Sequence, residues 1–289
     1  MMDLFKFLEI GSPIDVVDVG ASLGGKKTVY HGIAEKGWAA VVGFEPSAVE
    51  LEKLDAQKKP YERYFPYFVG NGETQTFYET NWPLTSSLFE PNPELLSKFN
   101  NLNEVCQITG THAVATKRID DIAEIANIDL FKLDIQGAEL SVLQNGLTKL
   151  KDALVVQVEV EFVELYKGQP FFADVDLFMR KQGFQFHTFY STGTLAFKPL
   201  LVGKSVNRGL RQHLWADAVY VRDWLRPESM SSEKLRKCAL ILGECYGSFD
   251  LAHLLLQDHD RLFGSDFAGP YLAMVLEEQT ANGLALSRA

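Results

Sequence analysis

The side chains best suited to chemistry are mostly carboxylates, and they fall in two groups. The first is Asp18, in the run Ile14-Asp-Val-Val-Asp-Val-Gly-Ala-Ser-Leu-Gly-Gly25, together with Glu45 after Ala40-Val-Val-Gly-Phe44. A dinucleotide loop needs G-x-G-x-x-G, so that its second glycine lets the backbone close on a pyrophosphate. Here Ser22 stands at that second position, and the pattern is D-x-G-x-x-x-G from Asp18 through Gly20 to Gly24. It suits a ligand with an amino acid moiety and no phosphate, approached by the backbone at Gly20, with Asp18 near an ammonium or ribose group. An acid at the end of the next strand, Glu45, can accept from both ribose hydroxyls. These features point to S-adenosylmethionine rather than NAD.

The second group lies mid-chain. Asp134 follows the strand expected over 128–133, and Gln157, Glu159 and Glu161 alternate along Leu154-Val-Val-Gln-Val-Glu-Val-Glu-Phe162. A two-residue period puts these three on one face of a strand. Central parallel strands are normally apolar on both faces, so acids at the carboxyl end mark the crevice where ligands bind in open α/β sheets. Methyl transfer from a sulfonium is an in-line displacement, with the acceptor held about 3 to 3.5 Å from the methyl group. An alcohol is a poor nucleophile and needs a general base, or a metal that lowers its pKa. The candidates are Asp134, Glu139, Glu159, Glu161 and His112. A strand histidine such as His112 is more commonly structural, and Glu139 could simply favour the helix dipole. Hard cations take oxygen ligands, so a divalent ion on Asp134 and Glu159 is the lesser alternative, and no metal ligand is assigned.

The elements that must position these groups read as an α/β domain. Ile14, Val16, Val17 and Val19 form a buried strand, and residues 26–36 form the first crossover helix. A helix over 47–59, an aromatic strand over 61–69, a tight Asn71-Gly72 turn and an outer strand over 74–80 follow. Residues 81–104, with three prolines and the Ser86-Ser87 pair, are irregular; loops of this length are often lids. Strands are expected at 105–116, 128–133, 154–162, 184–190, 193–197 and 215–221, with helices at 119–126, 137–145 and 174–181. Asp120 or Asp121 reads as a helix cap. Lys204, Arg208, Arg211 and His213 make the loop 203–213 basic. From residue 231 the period is helical, with breaks expected at Gly247 and Pro270.

Four blocks in order, Val17-Asp-Val-Gly-Ala-Ser22, Gly43-Phe-Glu-Pro46, Arg118-Ile-Asp-Asp-Ile122 and Phe131-Lys-Leu-Asp-Ile-Gln-Gly-Ala-Glu139, make residues 14–221 resemble the FkbM-type methyltransferases. The resemblance implies a class I methyltransferase (Rossmann-like) fold: a seven-stranded, mostly parallel sheet with helices on both faces. It implies S-adenosylmethionine as cofactor, bound by Asp18, Gly20, Ala21, Ser22, Gly24 and Glu45, with Pro46, Asn71, Asp134 and Gln136. Catalytic roles fall to Asp134, Glu159 and His112, and residues 81–104 become a segment covering the site. Glu161 stands where this family more often has another polar residue, commonly His. The acceptors implied are hydroxyls on sugars, glycans or secondary metabolites.

The chain of 289 residues allows a methyltransferase domain over 1–226 and a helical appendage over 227–289. Its 28 basic against 38 acidic side chains give a net charge of −10, which disfavours nucleic-acid partners. Three cysteines without metal spacing suggest a reducing cytoplasm, and no signal peptide or membrane span is expected. The three apolar stripes of the C-terminal helices suggest packing on the domain or formation of a homo-oligomer. Two other functions compete: an NAD-dependent oxidoreductase, and a non-catalytic cofactor-fold protein that acts as an interaction module through those helices.

Overall fold

The computed structural model of the chain describes residues 3–22 and 27–281, which divide into two compact units. The larger takes 16–27 and 41–222; the smaller takes 1–15, 28–40 and 223–289. Among the described residues the strands are β1 (Ile14–Val19), β2 (Ala39–Phe44), β3 (Glu62–Phe65), β4 (Phe68–Val69), β5 (Thr74–Thr80), β6 (Ile108–Lys117), β7 (Leu130–Leu133), β8 (Val155–Glu161), β9 (Phe184–Thr194) and β10 (His213–Arg222). Seven of them form one sheet in the order β3-β2-β1-β7-β8-β10-β9. β1, β7 and β8 run parallel, β2 pairs β3 in parallel, and β10 is inserted antiparallel between β8 and β9. This is the seven-stranded, mostly parallel sheet that the resemblance implies.

The two faces of the central strands differ. Val17, Val19, Phe131, Leu133, Val156, Val158, Val160 and Ala218 enter one buried core. The opposite face carries Asp18, Lys132 and Gln157 side by side, then Glu159 beside Asp217 and Glu161 beside Trp215. Burying this polar face is costly unless its groups are paired, so their partners identify what the fold holds in place.

Several elements depart from the sequence reading. The aromatic strand expected over 61–69 splits at Pro66, which has no N–H for a ladder: β3 stays in the large sheet, and β4 joins a second sheet ordered β4-β6-β5. β6 begins at Ile108 because Leu102–Val105 coil into a helical turn. Only Ile119–Asp121 of the helix expected at 119–126 is helical. Asp120 does cap, but another helix, accepting from the Thr148 and Lys149 amides ahead of Leu150. The strands expected at 184–190 and 193–197 are one continuous strand, β9, since Gly193 pairs with Trp215 and a Cβ there would sit 2.0 Å from the indole ring.

In the smaller unit, helices Ser232–Tyr246, Phe249–Phe263 and Ala268–Ala281 follow one another. Gly247 ends the first with φ +64, as expected, but Gly264 ends the second, and Pro270 lies in the first turn of the third. Arg236 donates to the carbonyls of Leu8 and Glu9, the buried Lys237 ammonium donates to the Pro13 carbonyl at 2.9 Å, and Lys36 pairs with Glu244. The first helix therefore has donors for backbone segments that the sequence reading assigned to the methyltransferase domain.

Candidate active site

The ends of β1 and β2 are held by backbone contacts. Gly20 adopts φ +82, and a Cβ there would lie 1.9 Å from the Asp134 carbonyl oxygen, so no other residue fits between β1 and the turn after β7. The amides of Gly20 and Ala21 both donate to the Phe44 carbonyl. Asp18 is fully buried beneath them and accepts from Lys132 Nζ at 3.0 Å. Burial alone would lower the lysine pKa, but the carboxylates of Asp18 and Asp134 outweigh it and raise it. The ammonium that Asp18 meets is the protein's own, where the sequence reading placed an ammonium or ribose group of the ligand.

Glu45 directly follows β2 and is buried. Its Oε1 accepts from the Ser47 amide at 2.8 Å; Oε2 has no protein donor among the described residues. Burial lifts the carboxyl to about 7 against the opposing pull of that amide. Pro46 leads into the helix Ala48–Gln57, and Ser22 Oγ donates to Glu50, 3.2 Å away. Gly24 lies outside the described residues.

The mid-chain acids converge where parallel β7 and β8 end side by side. Gln136 Nε2 donates to Asp134 Oδ1 at 3.0 Å and to Glu159 Oε2 at 2.7 Å, tying the two carboxylates together. The same side chain accepts from the buried Tyr166 hydroxyl at 3.0 Å, and the Gln136 carbonyl accepts from Ser87 Oγ at 2.6 Å. Gln136 has φ +62 and Gly137 φ +102. Glu139 holds this tight turn with both oxygens, accepting from the Ile135 amide at 2.7 Å and the Gly137 amide at 2.9 Å. Burial raises the Glu139 pKa to about 7. It also pushes Glu159 and Glu161 well above the carboxylate range, reinforced in both by the negative charges of Asp134 and Glu139. Asp217, hydrogen-bonded by Ser191, is raised for the same first reason. A carboxylate whose pKa is raised is a stronger base than an exposed one.

Glu139, Glu159 and Glu161 each offer one oxygen within 4.8 Å of the others, a donor set compatible with a hard cation. Both Glu139 oxygens, however, already serve the turn. The Gln136 amide stands between Asp134 and Glu159, the pair the sequence suggested for such an ion.

His112 is not brought to this group. It lies exposed on β6, bonded to Glu79 on β5 at 3.0 Å, because β6 belongs to the second sheet. Asn71 is engaged in its own turn, accepting from the Glu73 amide and from Thr116. Sequence reasoning missed Tyr166 and Ser87 as partners of Gln136. Ser87 sits in the segment singled out as a cover, and that segment does meet this region: Asn92 N bonds the Leu165 carbonyl, and Lys167 N bonds that of Glu90. Tyr166 carries no periodic signal. A cavity of about 520 Å³ lies beyond β8 among Phe162, Phe189 and Phe197. Alternation turns Phe162 away from Glu161, so this cavity is separate from the carboxylates.

Residues 18–186 match the model of the methyltransferase FkbM domain. The chain belongs to the FkbM methyltransferase family. Family membership disfavours the oxidoreductase and the non-catalytic module. The chain is 28% identical over 191 residues to the 2-O-methyltransferase NoeI of Sinorhizobium fredii, covering 60% of this chain and 74% of that protein. Among solved structures it is similar to magnesium protoporphyrin IX methyltransferase of Synechocystis PCC 6803, with 11% identity, 76% of each chain covered and a TM-score of 0.35. Precorrin-6y C5,15-methyltransferase of Geobacter metallireducens gives 9% identity, 76% and 85% coverage and a TM-score of 0.37. Likenesses this distant carry no functional argument. No helix among the described residues is long and apolar enough to cross a membrane.

Proposed function

We propose that this methyltransferase uses S-adenosylmethionine to methylate a hydroxyl of a sugar, a glycan or a small metabolite. The observation that carries the reading is the Asp134–Gln136–Glu159 linkage at the carboxyl ends of two adjacent parallel strands, beside the Gly20 turn. The likeness to NoeI, a 2-O-methyltransferase by name, supports oxygen as the acceptor atom.

Bound S-adenosylmethionine supplies its methyl group as a sulfonium. Glu45 Oε2 suits the ribose hydroxyls, being an acceptor without a protein donor. Gly20 keeps the turn close to β7 and so to Asp134, and Lys132 pairs with Asp18 beneath it. The cofactor would supply an electrophilic methyl carbon whose bonding electrons stay with the departing sulfur, and the Asp134–Glu159 pair would take the proton of the acceptor hydroxyl. Tyr166 and Ser87 fix Gln136, and through it the spacing of the two carboxylates. Glu139 supports the turn rather than the reaction. We assign residues 1–226 the catalysis, place the protein in the cytoplasm, and expect the C-terminal helices to mediate any homo-oligomer.

Calorimetry on the purified protein should show binding of S-adenosylmethionine and its demethylated product, and none of NAD. Asp134→Asn should keep that binding and the fold yet lower turnover by about 100-fold or more, the scale of general acid–base work. A chelator should leave the wild-type rate unchanged. Mass spectrometry of surface glycans and metabolites from cells with and without the protein would supply the acceptor. Near-normal turnover of Asp134→Asn would remove the base from the mechanism.

A further inference from the structure

The basic loop after β9 has no part in the chemistry above. Within an acidic chain, Ser191 to Ala216 contain four Lys or Arg and no Asp or Glu. The same stretch exposes Phe197, Leu200, Leu201, Val206 and Leu210, each to between 41 and 61%. Apolar side chains gathered on one loop and interleaved with cations mark an interaction surface rather than ordinary surface scatter.

The loop is built to present them. Its first limb is pinned where Phe197 stacks on Phe99 at 4.6 Å, Lys198 N bonds the Lys98 carbonyl, and Asn100 Nδ2 bonds the Leu200 carbonyl at 2.7 Å. Its second limb passes so close to β9 that a Cβ on Gly209 would sit 2.3 Å from the Thr194 backbone. Between them the chain reverses at Gly203 and Lys204, both with positive φ, closed by Ser205 N on the Val202 carbonyl. Lys198 is paired with Glu104. Lys204, Arg208 and Arg211 are exposed and make no ion pair among the described residues. Phe197 and Arg211 also line the cavity near Phe162 and Phe189, so an apolar hollow with a guanidinium at its edge lies at the loop's root.

We propose that residues 197–211 dock this protein on an anionic phospholipid bilayer. Leu200, Leu201, Val206 and Leu210 enter the boundary between headgroups and acyl chains, while Lys204, Arg208 and Arg211 meet lipid phosphates. Charge complementarity selects the occupant: the rest of the acidic chain is repelled by such a surface, so only this face is drawn to it. A nucleic acid would satisfy the cations but leave the exposed aliphatic side chains in water.

The test is co-sedimentation of the full chain with vesicles of phosphatidylcholine alone or mixed with phosphatidylglycerol. Binding is expected only to the mixed vesicles and should weaken with salt. Lys204→Glu with Arg208→Glu should weaken it about 25-fold or more, each cation contributing roughly fivefold. Leu200→Ser with Leu201→Ser should also weaken it, at unchanged charge, and both variants should keep the wild-type melting temperature. Failure of the wild type to bind the mixed vesicles would overturn the proposal. So would undiminished binding by the serine variant, since that would mark a purely electrostatic patch equally suited to a polyanion such as RNA.

Discussion

Glu45 and Glu139 are both acids buried at some cost, but they answer to different partners. Burial pushes each carboxyl up to about 7, above the ordinary glutamate value of 4.5. Such a group contributes stability below the lower value and loses it as pH rises through the higher one. The melting temperature of the cofactor-free protein should therefore fall as pH climbs from about 5 through 7, and Glu45→Gln should flatten that slope. An ionised carboxylate accepts from ribose hydroxyls more strongly than a protonated one, so calorimetric affinity for S-adenosylmethionine should rise over the same window. Glu45→Ala should reduce that affinity by about 1.5 to 3 kcal/mol, the scale of a hydrogen bond to a charged group. Glu139→Ala instead leaves the Ile135 and Gly137 amides without acceptors. Each buried donor so stranded costs about 1 to 3 kcal/mol, to be read in a denaturation midpoint.

At the scale of elements, the β7 turn is the joint on which the site depends. Asp134 stays beside β1 only because Gly20 has no side chain, and Gln136 reaches Glu159 only because residues 136 and 137 take left-handed conformations. Gly20→Ala would drive a methyl group into the Asp134 carbonyl at a disallowed φ. We expect loss of cofactor binding together with a large fall in melting temperature, both measurable in one thermal-shift titration. A variant that melts and binds like the wild type would show that β1 and β7 can separate without harm.

At the scale of the whole chain, the C-terminal helices supply part of the environment of residues 4–13 and 31–36. Without residues 231–289 the carbonyls of Leu8, Glu9 and Pro13 lose the Arg236 and Lys237 donors, and Lys36 loses Glu244. The truncated chain should aggregate or change its oligomeric state, as light scattering would report. A monodisperse truncated protein of unchanged state would mean the helices are an independent tethered module.

Features that depend on local pattern were legible in the residues alone. The β-branched runs at Ile14, Val41 and Val155 specify buried strands, Gly20 specifies a close approach, and the alternation of Gln157, Glu159 and Glu161 places three polar groups on one face. Cap chemistry was legible as well, although Asp120 shows that a capping acid need not serve its own helix. Partner choice between distant segments was left to the tertiary structure. Whether Asp18 meets a ligand or Lys132, and whether His112 joins the carboxylates or Glu79, depends on which strands become neighbours. The bond from Tyr166 to Gln136 depends on a turn whose left-handed backbone no propensity signals. A carboxylate is costly to bury whichever partner compensates it, so its place in the chain shows that a partner is needed, and only the sheet order decides which one it finds.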